Sequence, residues 1–281
     1  MKGVFKEIYL LLRALLDPRK WDMDKRLKRK IRETYFRVLF LRRYDSHAKT
    51  ANIVGFKVKF CNNDILFNLF NEIFIHNEYH FVTENKKPYI IDCGSNIGMS
   101  VLYFKMLYPD ASILAFEPGE EAFSCLEANI KNNRLNSVTA NKMALSSREG
   151  NIDFYCDQDK PGSLIMSINP ARISKQKRMV KGTRLSNYID RAVDFIKMDV
   201  EGAEMEIMED LCREGKLNHI RQMAIEYHHH IGGASDELSR MLRILEDAGF
   251  GYQIESSLKR PFNRGQFQDI LIYAYQPVNR S

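Results

Sequence analysis

Residues 89–98 read YIIDCGSNIG, and the order of residue types there sets how the flanking chain is read. Tyr89, Ile90 and Ile91 make the short apolar run expected of a strand buried on both faces. Gly94 permits a tight strand-to-helix turn, and Gly98 is expected to let the backbone approach a ligand closely. Asp92 sets a carboxylate at the strand end, where it can accept from the ammonium group of a bound amino-acid moiety. The dinucleotide fingerprint GxGxxG, which seats a pyrophosphate on helix amides, is not matched.

Outward from this stretch, strand and helix patterns alternate. Helix IGMSVLYFKMLY leads to strand SILAFEP, helix EEAFSCLEANIKNN and strand SVTANKMAL. Strand NIDFYC precedes a basic stretch from Asp157 to Arg184, read as an irregular loop. Strand DFIKMD, helix AEMEIMEDLCREG, strand RQMAIEYH and helix ASDELSRMLRILEDAG resume the order. Segments GYQIESS and DILIYAYQ close it as a hairpin at one edge. Strands alternating with helices predict a doubly wound α/β fold with a mostly parallel sheet and helices on both faces. Upstream, VGFKVKF alternates from Val54 as one half-buried strand, and Asn62-Asn63-Asp64 offers N-cap chemistry for helix DILFNLFNEIFI.

In such sheets ligands bind beyond the carboxyl ends of the strands. Glu117 lies 25 residues after Asp92, one strand–helix–strand step along, where an acid can accept from two ribose hydroxyls. Asp92-x-Gly94 with Gly98 four residues on, followed by this acid, points to S-adenosyl-L-methionine. At the next strand end Asn141, Met143 and Ala144 offer an amide and an apolar wall for adenine. The fourth ending, IKMDVEGAE, crowds Asp199, Glu201 and Glu204 into six residues. Mutual repulsion makes that costly unless cations or donors compensate. Methyl transfer to oxygen needs a proton acceptor near the hydroxyl, a role suited to Asp199 or Glu201. Glu226 and His228 follow the next strand. His228 is a candidate base, and Asp199, Glu226 and His228 could alternatively hold a divalent ion. No metal is required by the reading, and three successive histidines cannot all face one pocket.

The run from IIDCGSNIG through AFEP and IKMDVEGAE to IEYH resembles the FkbM family of methyltransferases. The resemblance covers roughly residues 54–275 and includes NEIFIHNEY. It implies a seven-stranded, Rossmann-like methyltransferase fold using S-adenosyl-L-methionine. O-methylation of a sugar, glycan or related secondary metabolite is the implied activity. It also implies that Asp92, Gly94, Asn96, Gly98 and Glu117 line the cofactor and that Asp199, Glu201 and Glu226 face the transfer site. Ser95, Pro118 and Ala144, at the same strand ends, are expected beside the cofactor, and His228 beside the transfer site.

Bulk properties fit one such domain, 51–281, with a basic helical extension, 1–50. The 44% hydrophobic and 28% charged residues are ordinary for a globular chain. Ile8–Leu16, interrupted by Arg13, is far short of the roughly twenty apolar residues a membrane helix needs. It lacks a small-residue cleavage site, so a signal peptide is not expected. Five scattered cysteines without CxxC spacing fit a reducing cytoplasm. Residues 1–50 hold 15 Lys and Arg against 6 Asp and Glu, while the remainder is slightly acidic. Two helices are expected there, 4–16 and about 22–42. The extension is either a solvated cover for the domain or a surface for an anionic membrane, acidic partner or nucleic acid. Absence of stacking-rich aromatic motifs speaks against RNA, and the apolar first helix could mediate a homodimer. Lys160, Arg172, Lys175, Lys177, Arg178, Lys181 and Arg184 would favour an acidic substrate if the basic stretch covered the pocket.

Overall fold

Helix α1 (Lys25–Tyr44) opens the computed structural model, which describes residues 25–45, 47–156, 167–170, 176–231, 237–256 and 267–277. Its Ile31, Tyr35, Val38 and Leu39 enter a core shared with Val101, Phe104 and Phe195 of the following domain. The helix expected over residues 4–16 lies outside the described residues.

A hairpin follows, β1 (Thr50–Ile53) with β2 (Phe56–Lys59). The alternation in VGFKVKF predicts a strand from Val54, but the chain turns there, with φ of 53° at Val54 and 102° at Gly55. Two successive positive φ values make the tight turn whose twist suits a hairpin, so the second strand starts at Phe56. Asn62 caps α2 (Asn63–Phe70), its side chain accepting from the Asp64 amide at 2.7 Å. The helix runs on as a π-helical turn, Asn71–Ile75.

The alternating core comes next: β3 (Tyr89–Cys93), α3 (Met99–Leu107), β4 (Ser112–Phe116), α4 (Glu120–Asn132) and β5 (Val138–Asn141). Short strands β6 (Ala144–Leu145), β7 (Gly150–Cys156) and β8 (Gln176–Thr183) form a separate sheet in the order β6-β8-β7. The chain returns through β9 (Phe195–Met198), α5 (Glu204–Arg213), β10 (Gln222–His229), α6 (Leu238–Asp247), β11 (Gly251–Ser256) and β12 (Gln268–Tyr275).

The main sheet has seven strands in the order β11-β12-β10-β9-β3-β4-β5. It is parallel from β10 to β5, and β12 runs antiparallel to both β10 and β11. The closing pair is the antiparallel pair expected at one edge, with β11 outermost and β12 lying between it and β10. Side chains alternate across this sheet. Ile90 and Phe195 pack in the core on one face, whereas Ile91, Ile196 and Met198 pack in the core on the other.

The basic stretch also departs from expectation. Gln176–Thr183 is a strand, with Lys177 paired to Asp153 at 2.8 Å and Arg178 to Glu121 at 3.4 Å. Lys177 is thus neutralised by β7 and Arg178 by α4, while Lys160, Arg172 and Lys175 lie outside the described residues. No helix among the described residues is long and apolar enough to cross a membrane.

Candidate active site

β3 pairs with β4 on one side and β9 on the other, so the strand order reverses between β3 and β9. A cavity of ≈ 230 Å³ opens at the carboxyl ends of these strands, where ligands of open α/β sheets bind. Of the residues named from sequence, Gly94, Ser95, Asn96, Glu117, Pro118 and Ala144 lie on its wall. Asp199, Glu201, Glu226 and His228 lie there too, as does Met143; Asn141 does not. Asp92 and Gly98 are also absent from the wall, for separate reasons.

Asp92 points beneath the loop. It is fully buried, accepts from Ser100 Oγ at 2.5 Å, and has Lys197 Nζ 3.7 Å from Oδ1. Burial raises its pKa, against Lys197 and Ser100, which lower it. Its carboxylate therefore ties the glycine loop to α3 and β9. Gly98 has φ 87°, and a Cβ there would stand 2.7 Å from Leu126 Cδ1. Its bare Cα admits a side chain of α4, where the sequence reading expected a ligand. Gly94 is the close-approach position: at φ 85°, a Cβ would collide with the Asp199 carbonyl.

Glu117, 3% exposed, uses both oxygens on backbone amides, Asn96 at 2.8 Å and Gly119 at 2.7 Å. Burial pushes its pKa up to about 7 although those amides favour the charged form. The side chain joins the two loops that flank the cavity mouth, and it is an acceptor available for hydroxyl donors.

The acidic ending after β9 is compensated in the way its density requires. Glu204 Oε1 accepts from the amides of Val200 and Gly202 and faces His228 Nδ1 at 2.8 Å. His228 Nε2 lies 3.2 Å from Glu201 and 3.9 Å from Asp199. Burial lowers the imidazole pKa, but Glu204, Glu201 and Asp199 outweigh it and carry it to about 10. These surroundings favour the protonated imidazole and weigh against His228 as the base. Glu201 sits at φ 58°, a costly backbone for a non-glycine residue and one that recurs at functional sites. His229 and His230 are not on the cavity wall.

Lys197, 2% exposed in the middle of the sheet, is the other cation. Its Nζ donates to the Gly94 carbonyl at 2.5 Å and to Asp199 Oδ2 at 3.2 Å. Burial acts against its charge, but Asp199, Asp92 and Glu226 prevail and raise its pKa. Tyr79 reaches over from the segment after the π-helical turn, donating to Glu226 at 3.0 Å and Asp199 at 3.4 Å. Two residues on, Phe81 stacks on Phe195 at 4.3 Å between centroids. Burying such a ring contributes about 1.5–3 kcal/mol, which pins the segment across β9 and holds the Tyr79 hydroxyl at the end of that strand. Burial and the nearby carboxylates keep Tyr79 a phenol and raise Glu226 well above the carboxylate range. Glu72, on the π-helical turn, is pushed to about 8, by burial first and then by Glu78 and Asp199.

Asp199, Glu226 and His228 bring ligand-type atoms within 4.8 Å of one another, the set named from sequence as a metal alternative. Each is engaged by protein groups: Asp199 by Lys197, Glu226 by Tyr79, His228 by Glu204 and Glu201. Lys197 and His228 supply cationic charge within the site itself.

Sequence reading missed Lys197, Tyr79 and Glu72. A lysine inside the otherwise apolar strand FIKM was the available signal, since lysine is almost never buried without partners. Tyr79 and Glu72 belong to NEIFIHNEY, where nothing in the local pattern reveals a contact 120 residues away in the chain.

Residues 92–252 match the family model for the Methyltransferase FkbM domain. The chain is 27% identical over 205 residues to Methyltransferase 1 of Beauveria bassiana, covering 66% of this chain and 80% of that protein. It is 28% identical over 151 residues to the 2-O-methyltransferase NoeI of Sinorhizobium fredii, covering 48% and 61%. Over 212 residues it is 24% identical to the 31-O-demethyl-FK506 methyltransferase FkbM of Streptomyces tacrolimicus, covering 62% and 79%. The matched span begins at the buried Asp92, takes in both cavity-lining loops and runs past His228, and with it the chain belongs to the FkbM family of methyltransferases.

Proposed function

We propose that the protein is an S-adenosylmethionine-dependent O-methyltransferase acting on a hydroxyl of a sugar, glycan or related secondary metabolite. The observation that carries this reading is the carboxylate of Asp199 on the cavity wall, oriented by Lys197 and set beside the Gly94 loop, with Glu117 on the same wall. The cofactor's chemistry, when bound, is an electrophilic methyl group on a sulfonium centre. Glu117 fits its ribose hydroxyls, the Gly94–Asn96 loop its amino-acid portion, and Met143, Ala144 and Pro118 an apolar ring.

Asp199 then accepts the proton of the acceptor hydroxyl as the oxygen becomes nucleophilic, a role that contributes typically 10²–10⁴-fold. Lys197 is already hydrogen-bonded to Asp199, which leaves little reorganisation for the moment of reaction. Tyr79 and Glu226 line the same side and fix the acceptor's orientation through hydrogen bonds. His228, held cationic by its carboxylates, serves to hold Glu201 and Glu204 in place.

The wall carries Glu72, Glu117, Asp199, Glu201, Glu226 and Asp269 against two cations. This lining, rich in hydrogen-bonding oxygens, supports a hydroxyl-rich acceptor, with Glu72 and Glu226, whose carboxyl pKa values burial raises, acting as hydrogen-bonding groups more than as charges. The direct test is mass spectrometry of products from neutral sugars and glycans and from uronic acids, combined with calorimetry using S-adenosylhomocysteine. Failure of the wild type to bind S-adenosylhomocysteine would remove the cofactor assignment, and methylation only at nitrogen or carbon would remove the O-directed one.

A further inference from the structure

Helix α1 buries Ile31, Thr34, Tyr35, Val38 and Leu39, while Phe36, Phe40 and Tyr44 stay 47%, 57% and 73% exposed. At 3.6 residues per turn, positions 36, 40 and 44 form one stripe on the side away from the core. Phe40 and Tyr44 touch along it, with ring centroids 5.3 Å apart. The same wheel places exposed Arg32 and Arg43 on one flank and exposed Lys30 and Arg37 on the other. From Lys25 to Tyr44 there are nine Lys and Arg and one acid, Glu33, which pairs with Arg29 at 2.7 Å.

We propose that this face of α1 docks on an anionic lipid bilayer. The aromatic crest enters the boundary between headgroups and acyl chains, and the flanking cations meet lipid phosphates. Aromatic residues along one line with arginine and lysine on both sides are the pattern of an interfacial helix. A protein partner would have to desolvate many cations, and the cores of such interfaces are depleted of charge. A second copy of the chain would bring two strongly basic faces together.

The test uses the full chain in sedimentation with phosphatidylcholine vesicles, alone and with about one-third phosphatidylserine. Binding to the anionic vesicles should exceed binding to the neutral ones by about tenfold or more. A Phe36→Ser/Phe40→Ser/Tyr44→Ser variant should lose binding by about tenfold or more, with melting temperature and S-adenosylhomocysteine affinity unchanged. Lys30→Glu/Arg32→Glu should abolish the preference for anionic lipid. The proposal fails if the wild type ignores anionic vesicles, or if the triple variant binds as the wild type does, which would place binding in residues 1–24. It fails equally if the aromatic variant retains lipid binding and loses binding to a single-stranded RNA oligonucleotide.

Discussion

A side chain on Gly94 would collide with the backbone carbonyl of Asp199. The two residues end neighbouring strands at the reversal of strand order, and the Asp199 amide donates to the Cys93 carbonyl at 3.0 Å. The glycine loop and the acidic ending therefore touch backbone to backbone, so cavity shape depends on the absence of one Cβ. Gly94→Ala combines the left-handed cost of about 1–2 kcal/mol with an overpacking cost of about 1–3 kcal/mol. Gly55→Ala, at φ 102° with nothing within 4 Å of its Cβ, should carry only the first. Urea midpoints of the two variants check this, and equal losses would show that the collision relaxes freely.

On the proposed reading, Asp199 serves the chemistry of the site and Lys197 its shape. Asp199→Asn should lower kcat by about 10²–10⁴-fold and leave S-adenosylhomocysteine affinity within about threefold of the wild type. Lys197→Met removes a donor from the Gly94 carbonyl and a cation from beside Asp92 and Asp199. Both kcat and cofactor affinity should fall, together with stability by about 3 kcal/mol or more, because carboxylates stay buried without their partner. Single-turnover kinetics beside calorimetry separates the two patterns. An Asp199→Asn enzyme with unimpaired turnover would transfer the base to another group.

Both variants act where strand ends meet, and strand ends were the readable part of the chain. Asp92, Glu117 and Asp199 each close a short, mainly apolar run that reads as a buried strand, which is why the alternating core and the cavity's position could be anticipated, while the count of seven strands came with the family resemblance. What escaped reading depended on distance or on mixed signals. Val54 continues the alternation of β2, but its φ of 53° makes it part of the turn. In β8, charges fall on both faces and are matched by Asp153 and Glu121 from other elements, so the hydrophobic period is weak. Gly98 answers to Leu126 on another helix. His228 read as a base from its free-solution pKa, and only the three surrounding carboxylates argue against that.

If Glu117 holds the cofactor's ribose as proposed, it should couple cofactor binding to pH. Its carboxyl, held at about 7, must be ionised to accept from two hydroxyls. Binding should therefore release a proton at acidic pH, and affinity for S-adenosylhomocysteine should fall below about pH 7, approaching tenfold per pH unit. Above that value it should level off. Glu117→Gln should weaken binding about tenfold and remove the dependence between pH 5 and 7, where the ligand's own amine and carboxyl do not titrate. Calorimetry in buffers of differing ionisation enthalpy counts the protons. A wild-type affinity flat across that range would detach Glu117 from the ligand.

His228 sets the opposite end of the pH scale. Its folded pKa of about 10 lies above the ordinary value of 6.5, so the folded state binds the proton more tightly than the unfolded chain. The resulting stabilisation is fully present below pH 6.5, declines as pH rises, and is gone above about pH 10. His228→Gln retains a donor but no charge, leaving Glu201 and Glu204 uncompensated. At pH 6 the wild type should melt well above this variant, and the gap should narrow steadily toward pH 10. A difference in melting temperature that stays constant from pH 6 to 10 would mean that His228 is neutral in the folded protein. In that case the acidic ending would need its charge balanced by Lys197 alone, and His228 would return as a candidate proton acceptor.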